Sequence, residues 1–236
     1  MTESTRVLPH RPARAAAADE ALPIETLTYR RLFWIFFIGC FAGVVVETLW
    51  CFVSRGYFES RRGLVWGPFN VVYGLGAVLM TVGLRRMRSR HWGWTFAGCF
   101  VIGTVFEYLC SVFQEAVFGT VSWNYGDFAL AQFFGGRVNP VFSCFWGGLG
   151  VLWVKLLYPW LCDMIDRIPG RFSRPLTVAL TLFMVCNMAV SFAAVGRQAE
   201  RRENIPPTTS FEQYLDERYP DEVLNQIYAN MIIVDE

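Results

Sequence analysis

Charge along this chain is confined to short clusters, and between them lie five long apolar runs. They are Leu32 to Val53, Leu64 to Leu84, Trp92 to Phe118, Val141 to Leu161, and Leu176 to Val195. An α-helix needs roughly 20 apolar residues to cross a hydrocarbon core of about 30 Å. Each run is near or above that length. Inside lipid the backbone must satisfy its own hydrogen bonds, which single runs of this length achieve as helices. The expected fold is therefore all-α, a polytopic transmembrane helix bundle with about five spans. Composition agrees: 54% of the 236 residues are apolar and 17% are charged, against roughly 25% charged in soluble domains.

The runs divide the chain into three parts. Residues 1–28 hold Arg6, Arg11, Arg14, three prolines and an alanine run without a helical stripe, and are expected to form a disordered arm. Residues 29–196 form the bundle. Residues 197–236 form a polar tail with short amphipathic helices. There, Ser210 followed by Gln213 reads as a capping box, and Val223, Leu224, Ile227, Tyr228 and Met231 make an apolar stripe. That stripe has three candidate surfaces: the protein's own face, lipid headgroups, or a partner. With the N-terminus inside, thirteen Arg and Lys flank the inner ends of the runs and eight the outer ends, which favours a cytoplasmic N-terminus. The segment from Thr120 to Arg137 has an apolar part, Phe128 to Phe134, too short to span. It is either a surface loop or a re-entrant hairpin.

Several chemistries are excluded. No segment has the G-x-x-x-x-G-K-[ST] pattern and the chain has one lysine, Lys155, so it does not hydrolyse ATP in the P-loop manner by itself. The two histidines, His10 and His91, flank membrane segments, and the seven cysteines lack C-x-x-C spacing. No metal site and no cofactor is expected, and the cysteines read as packing residues. The net charge of +1 with dispersed arginines predicts no nucleic-acid partner.

Ionisable residues within spans are costly, at roughly 2.5–3.5 kcal/mol for a central charge. Three acids qualify: Glu47 in the first run, and Glu107 and Glu115 in the third. At 100° per residue, Glu107, Ser111, Gln114 and Phe118 share one stripe, with Glu115 about 80° round. Cys40, Gly43, Glu47 and Ser54 share a face of the first run, and Asn187, Ser191 and Ala194 a face of the fifth. These faces suggest one interior polar cluster, with Arg62 or Arg137 entering from the loop ends. It is either an ion-pair network that docks the helices or a binding site. Gly67 and Pro68 interrupt the second run just before Asn70 and Tyr73. That break either lines a substrate site, as discontinuous helices do in transporters, or marks a helix that starts after Pro68. Trp123 and Tyr125 fit an interfacial aromatic belt or a binding role.

The order of these motifs resembles a known family. Phe41 to Glu47 is similar to an F-x-G-W-x-x-E signature, with Val44 at the tryptophan position. Arg62 to Gly76 is similar to R-G-F-L-x-G-P-x-x-P-I-Y-G-x-G, with Val71 in place of the second proline. Glu107-Tyr108, Ser111, Glu115 and the run Ser122 to Tyr125 resemble E-Y-x-x-S-x-x-x-E and W-D-Y elements, with Asn124 replacing aspartate. Gly136, Arg137, Val138, Asn139, Ser143, Trp146, Gly147, Tyr158 and Pro159 resemble the remaining block. Together, over roughly residues 32–195, these resemble the Putative ABC-transporter type IV permease family of bacterial membrane proteins. The resemblance implies a permease-like transport component of the bacterial plasma membrane. Its expected partners are the lipid bilayer, a separate ATP-hydrolysing subunit and further copies of the chain. The implied cluster for substrate, ion or structure comprises Glu47, Arg62, Asn70, Tyr73, Glu107, Ser111, Glu115, Trp123, Tyr125, Arg137, Asn139, Ser143 and Asn187. An intramembrane lipid-processing enzyme and a non-catalytic scaffold or regulatory subunit are the alternative classes.

Overall fold

The computed structural model describes residues 26–234. The arm expected over residues 1–28 lies outside them except for its last three residues. Helix α1 spans Tyr29–Arg55, capped by the Thr28 side chain and stopped by Gly56 at φ 81°. Helix α2 is Val71–Leu84, and α3 is Trp92–Phe118. Helix α4, Pro140–Leu152, runs through a widened turn at Trp153–Leu157 into α5, Tyr158–Arg167. The widening has a local cause: Pro159 has no N–H to return to the preceding turn. Helix α6 spans Gly170–Arg202, followed by α7, Ser210–Arg218, and α8, Asp221–Ile227. Strands β1, Thr120–Val121, and β2, Ile232–Ile233, form one short antiparallel pair.

Among the described residues, four helical stretches are long and apolar enough to cross a membrane: α1, α3, the joined Pro140–Arg167, and α6. Their outward faces are apolar. On α3, Val101, Val105, Leu109, Phe113 and Val117 are all exposed at four-residue spacing, a stripe suited to lipid rather than water. The molecule is thus the expected all-α polytopic bundle.

The second apolar run takes the form of a helix that starts after Pro68, one of its two expected readings, and is too short to span as the run's length suggested. Its helix begins only at Val71, so α2 has 14 residues and is about 21 Å long. The residues before it descend beside α1 without helical structure, until Asn70 N–H donates to the Cys40 carbonyl at 3.0 Å. Cys40 lies near the middle of α1, so α2 starts deep in the bundle. Such backbone is tolerated at membrane depth only where protein satisfies it. Helix α6 does so: Ser191 Oγ accepts from Val65 N at 2.9 Å, and Asn187 accepts from Trp66 N at 3.1 Å and donates to Trp66 O at 2.7 Å.

A second unit repeats this plan. Helices α1 and α3 both carry Gly-x-Val-x-Glu-x-Leu, at Gly43 to Leu49 and Gly103 to Leu109. Each is followed by a largely irregular segment, the second with a 3-10 turn at Ala131–Phe134, and then a helix capped by asparagine. Asn70 Oδ1 accepts from Val72 N at 3.0 Å, and Asn139 Oδ1 from Val141 N at 2.9 Å. Thr104 Oγ1 meets Ser143 Oγ at 2.8 Å, so α4 also begins beside the middle of its partner.

Small residues bring α1 and α2 together. A Cβ added at Gly74 would stand 2.4 Å from Cys40 Sγ and 2.6 Å from the Phe36 carbonyl oxygen. A backbone atom cannot swing aside, so Gly74→Ala is expected to cost about 1–3 kcal/mol. The measurement is thermal unfolding in detergent; an unchanged midpoint would contradict this packing.

The tail folds back over the end of the bundle where α1 and α3 terminate. Leu215, Tyr219, Leu224 and Ile227 pack with Val65 and Ala194, so the apolar stripe meets the protein's own face. The α7 capping box is formed by Thr209 and Glu212 rather than by Ser210 and Gln213, one residue earlier than expected. Glu212 accepts from the backbone and side chain of Thr208 and the backbone of Thr209, which holds its carboxyl below the usual range.

Candidate functional site

Each re-entrant segment brings an arginine to acids on the preceding helix. In the first unit the residue is Arg61. Its guanidinium lies 3.6 Å from Glu47 and 2.5 Å from Glu59, and Nη2 is 3.5 Å from Cys51 Sγ. Arg62 was expected in this role, but its Nε donates to Ser60 Oγ at 3.3 Å. Only one of the two adjacent arginines faces α1. Arg61 is 8% exposed, which leaves it little room other than against α1.

In the second unit the residue is Arg137. It forms an ion pair with Glu115 and donates to Ser111 Oγ at 3.2 Å. Ser111 stands on α3 where Cys51 stands on α1, four residues beyond each unit's central glutamate. The two arginines therefore occupy corresponding places. Around Arg137 lies a partly open pocket of about 140 Å³, lined by Ser111, Glu115, Val121, Trp123, Asn124, Gly135, Gly136, Arg137 and Val234. Segment 120–137 forms its wall, with Gly135 and Gly136 at φ 63° and 73° turning the chain toward Arg137. These positive φ values suit glycine, which has no Cβ to clash.

Beneath the pocket, Tyr125 Oη donates to Glu107 Oε1 at 3.0 Å, and the Tyr125 ring stacks on Phe142 at 4.9 Å. Trp123 Nε1 donates to the Arg137 carbonyl at 2.8 Å. Both rings are half-buried and hydrogen-bonded within the protein. Through Tyr125 the segment reaches down among the helices from the end where α1 and α3 terminate: Glu107 is eleven residues before the end of α3, about 16 Å along its axis.

The remaining expected residues hold the frame. Asn70 and Asn139 cap the two deep helices, and Asn70 Nδ2 also donates to Arg61 O at 3.2 Å. Tyr73 lies against Gly43. Ser143 bonds Thr104. Asn187 is fully buried and holds Trp66, apart from the acids. The structure thus groups the expected residues as Arg137 with Glu115 and Ser111 and Tyr125 with Glu107, while Glu47 meets Arg61 beside Glu59, two residues which sequence reading omitted. Arg61 is adjacent to the residue expected, and Glu59 carried the local signal of an acid two residues before it. Among the described residues, no group of three or more His, Cys, Asp or Glu is placed to hold a metal ion.

Comparison with known proteins bears on the whole bundle. The family described as "Putative ABC-transporter type IV" matches residues 34–192, from the first turns of α1 into the last third of α6. No curated protein and no solved structure matches the chain. The family match takes in both units, their deep helix starts and the intramembrane acidic-polar cluster between them. The chain is an integral membrane protein belonging to the Putative ABC-transporter type IV family.

Proposed function

We propose that the chain is the membrane-spanning subunit of a transporter whose small polar cargo, bearing an anionic group, enters through the pocket at Arg137. One observation carries this reading: an arginine paired with an acid lines a partly open pocket between α3 and segment 120–137. An incoming anion exchanges with Glu115 on the guanidinium, a planar donor group suited to carboxylate and phosphate. Discontinuous helices beginning at mid-depth are where transporters place such sites. The thirteen-to-eight excess of basic residues puts the N-terminus in the cytoplasm and the pocket on the outer side. A separate ATP-hydrolysing subunit supplies the energy, docking at the opposite end, where Arg85, Arg86, Arg88 and Arg90 lie between α2 and α3.

The test is purification from native membrane in mild detergent. The expected result is a stoichiometric ATP-hydrolysing subunit whose activity falls at least roughly tenfold with Arg137→Gln, about 1.4 kcal/mol, while the complex stays assembled. A clean, folded preparation without ATPase activity would overturn the reading.

A further inference from the structure

The three membrane acids are not equivalent. Glu47 has Arg61, and Glu115 has Arg137. Glu107 has neither: Tyr125 bonds Oε1, while Oε2 is buried without a hydrogen-bond partner among the described residues. The residue is 6% exposed. Asn139, 2% exposed, presents a second such atom, Nδ2. Its orientation is set, because Oδ1 is engaged by Val141 N in the α4 cap. The Thr104–Ser143 contact places the two residues at one level. Glu107 lies one turn outward along α3, and Asn139 one turn before Ser143 on the antiparallel α4.

The first unit shows what this arrangement takes. There Arg61 supplies both complements: its carbonyl accepts from Asn70 Nδ2, and its guanidinium faces Glu47. In the second unit Arg137 is drawn up to Ser111 and Glu115. The Glu107–Asn139 pair therefore calls for a group that accepts from an amide and exchanges a proton with a carboxyl. A bare metal cation is disfavoured, since the amide turns N–H toward it. Water meets both demands. It accepts from Asn139 Nδ2 in either state, donates to an ionised Oε2, and accepts from a protonated one.

We propose that Glu107 and Asn139 form a proton-exchange site, bridged by water and served by the pocket at Ser111 and Arg137. Glu107 Oε2–H transfers its proton to the bridging water, leaving carboxylate and hydronium. The proton then leaves by way of the pocket, and the reverse path reloads the site. Proton binding removes a carboxylate that has no cation of its own inside the bundle. The ionisable groups facing Glu107 are Tyr125 from segment 120–137 and Cys110 from its own helix; Glu115 and its partner Arg137 lie two turns farther along α3. The Trp146 indole from α4 lies beside the carboxylate without reaching hydrogen-bond geometry. This deepens the transport reading, on which its purpose rests, but the site is measurable whatever the chain carries.

Infrared difference spectroscopy of the full chain in liposomes tests it. The wild type should show a protonated-carboxyl band that disappears as pH rises and shifts on exchange into D2O. Glu107→Gln should remove the band, whereas Glu47→Gln and Glu115→Gln should keep it. Glu107→Asp, which retains a carboxyl, should keep a titrating band at a changed frequency, and secures the assignment if the glutamine variant does not fold. Asn139→Ser preserves a capping oxygen but deletes the amide donor, and should move the titration midpoint by about one pH unit, a tenfold change in proton affinity. A band that survives in Glu107→Gln, or no titrating band in the wild type, would overturn the proposal. Either result would leave the ATPase test unaffected.

Discussion

Asn187→Leu should destabilise the protein by about 4 kcal/mol, from two backbone groups each losing roughly 1–3 kcal/mol of hydrogen bonding. Leucine keeps the branching of asparagine but is larger, so overpacking at this fully buried site adds to the loss. What disappears is the pair of bonds to Trp66 N and O, at a depth where water does not replace them. Asn187→Asp, protonated at this burial, keeps an acceptor for Trp66 N and an O–H donor for Trp66 O, and should lie between the two. Thermal unfolding in detergent gives the order, wild type above aspartate above leucine. A second readout follows the segment itself. Cys51 is 2% exposed beneath Arg61 and Glu59, and releasing residues 56–70 should open it to a thiol reagent, mapped by mass spectrometry. A leucine variant with wild-type stability and a protected Cys51 would show that α6 does not hold the broken segment.

That segment also marks where sequence reading ran out. Long apolar runs announced the spans because apolar length is the physical requirement for crossing lipid. Leu64, Val65 and Trp66 are as apolar as any helical residue, so hydropathy merged them with α2. The warning lay in Gly67, at φ 72°, and Pro68. Asn187 and Ser191 were recognised as one polar face, but their partner is backbone, which has no sequence signature. For the same reason Arg61 and Arg62 were interchangeable on paper: the course of an irregular chain decides which faces inward. The recurring Gly-x-Val-x-Glu-x-Leu at Gly43 and Gly103 was legible and went unread. The segments that follow it, 56–69 and 119–138, differ in length and composition and hide the correspondence. Without the repeat, the three acids looked alike. With it, the arginine of the first unit shows what Glu107 lacks. The tail stripe was visible from its helical spacing, but periodicity reveals a buried face and not the surface that buries it.

Breaking the tail's ionic anchor should undock it. Arg197 near the end of α6 is 3% exposed. It donates to both oxygens of Asp216 at 3.0 and 3.2 Å, and Arg201 reaches the same carboxylate at 2.5 Å. Burial alone would raise the Asp216 pKa; the hydrogen bonds from the two arginines outweigh it and hold the carboxyl below its usual range. A lowered folded-state pKa contributes stability above the unfolded value near 3.9, lost as pH falls through the folded value. Docking should therefore be constant through neutral pH and weaken only below about pH 4. Asp216→Ala leaves Arg197 enclosed without its main partner. Removing one member of a buried pair costs about 3–5 kcal/mol. The low end applies, because Asp216 keeps 23% of its side chain exposed. About 3 kcal/mol is roughly a hundredfold in the docking equilibrium. The tail joins both units, through Ser60 Oγ to the Ile227 carbonyl, Asn230 Nδ2 to the Ser122 carbonyl, and β1 to β2. Its release should accordingly expose residues 203–209 to protease and loosen segments 56–70 and 120–137 together. The double substitution Arg197→Met with Asp216→Leu removes both charges, and should recover most of the protection if the loss comes from a stranded guanidinium. Equal protease sensitivity of the single and double variants would instead assign the anchoring to the apolar contacts of Leu215, Tyr219 and Leu224 alone.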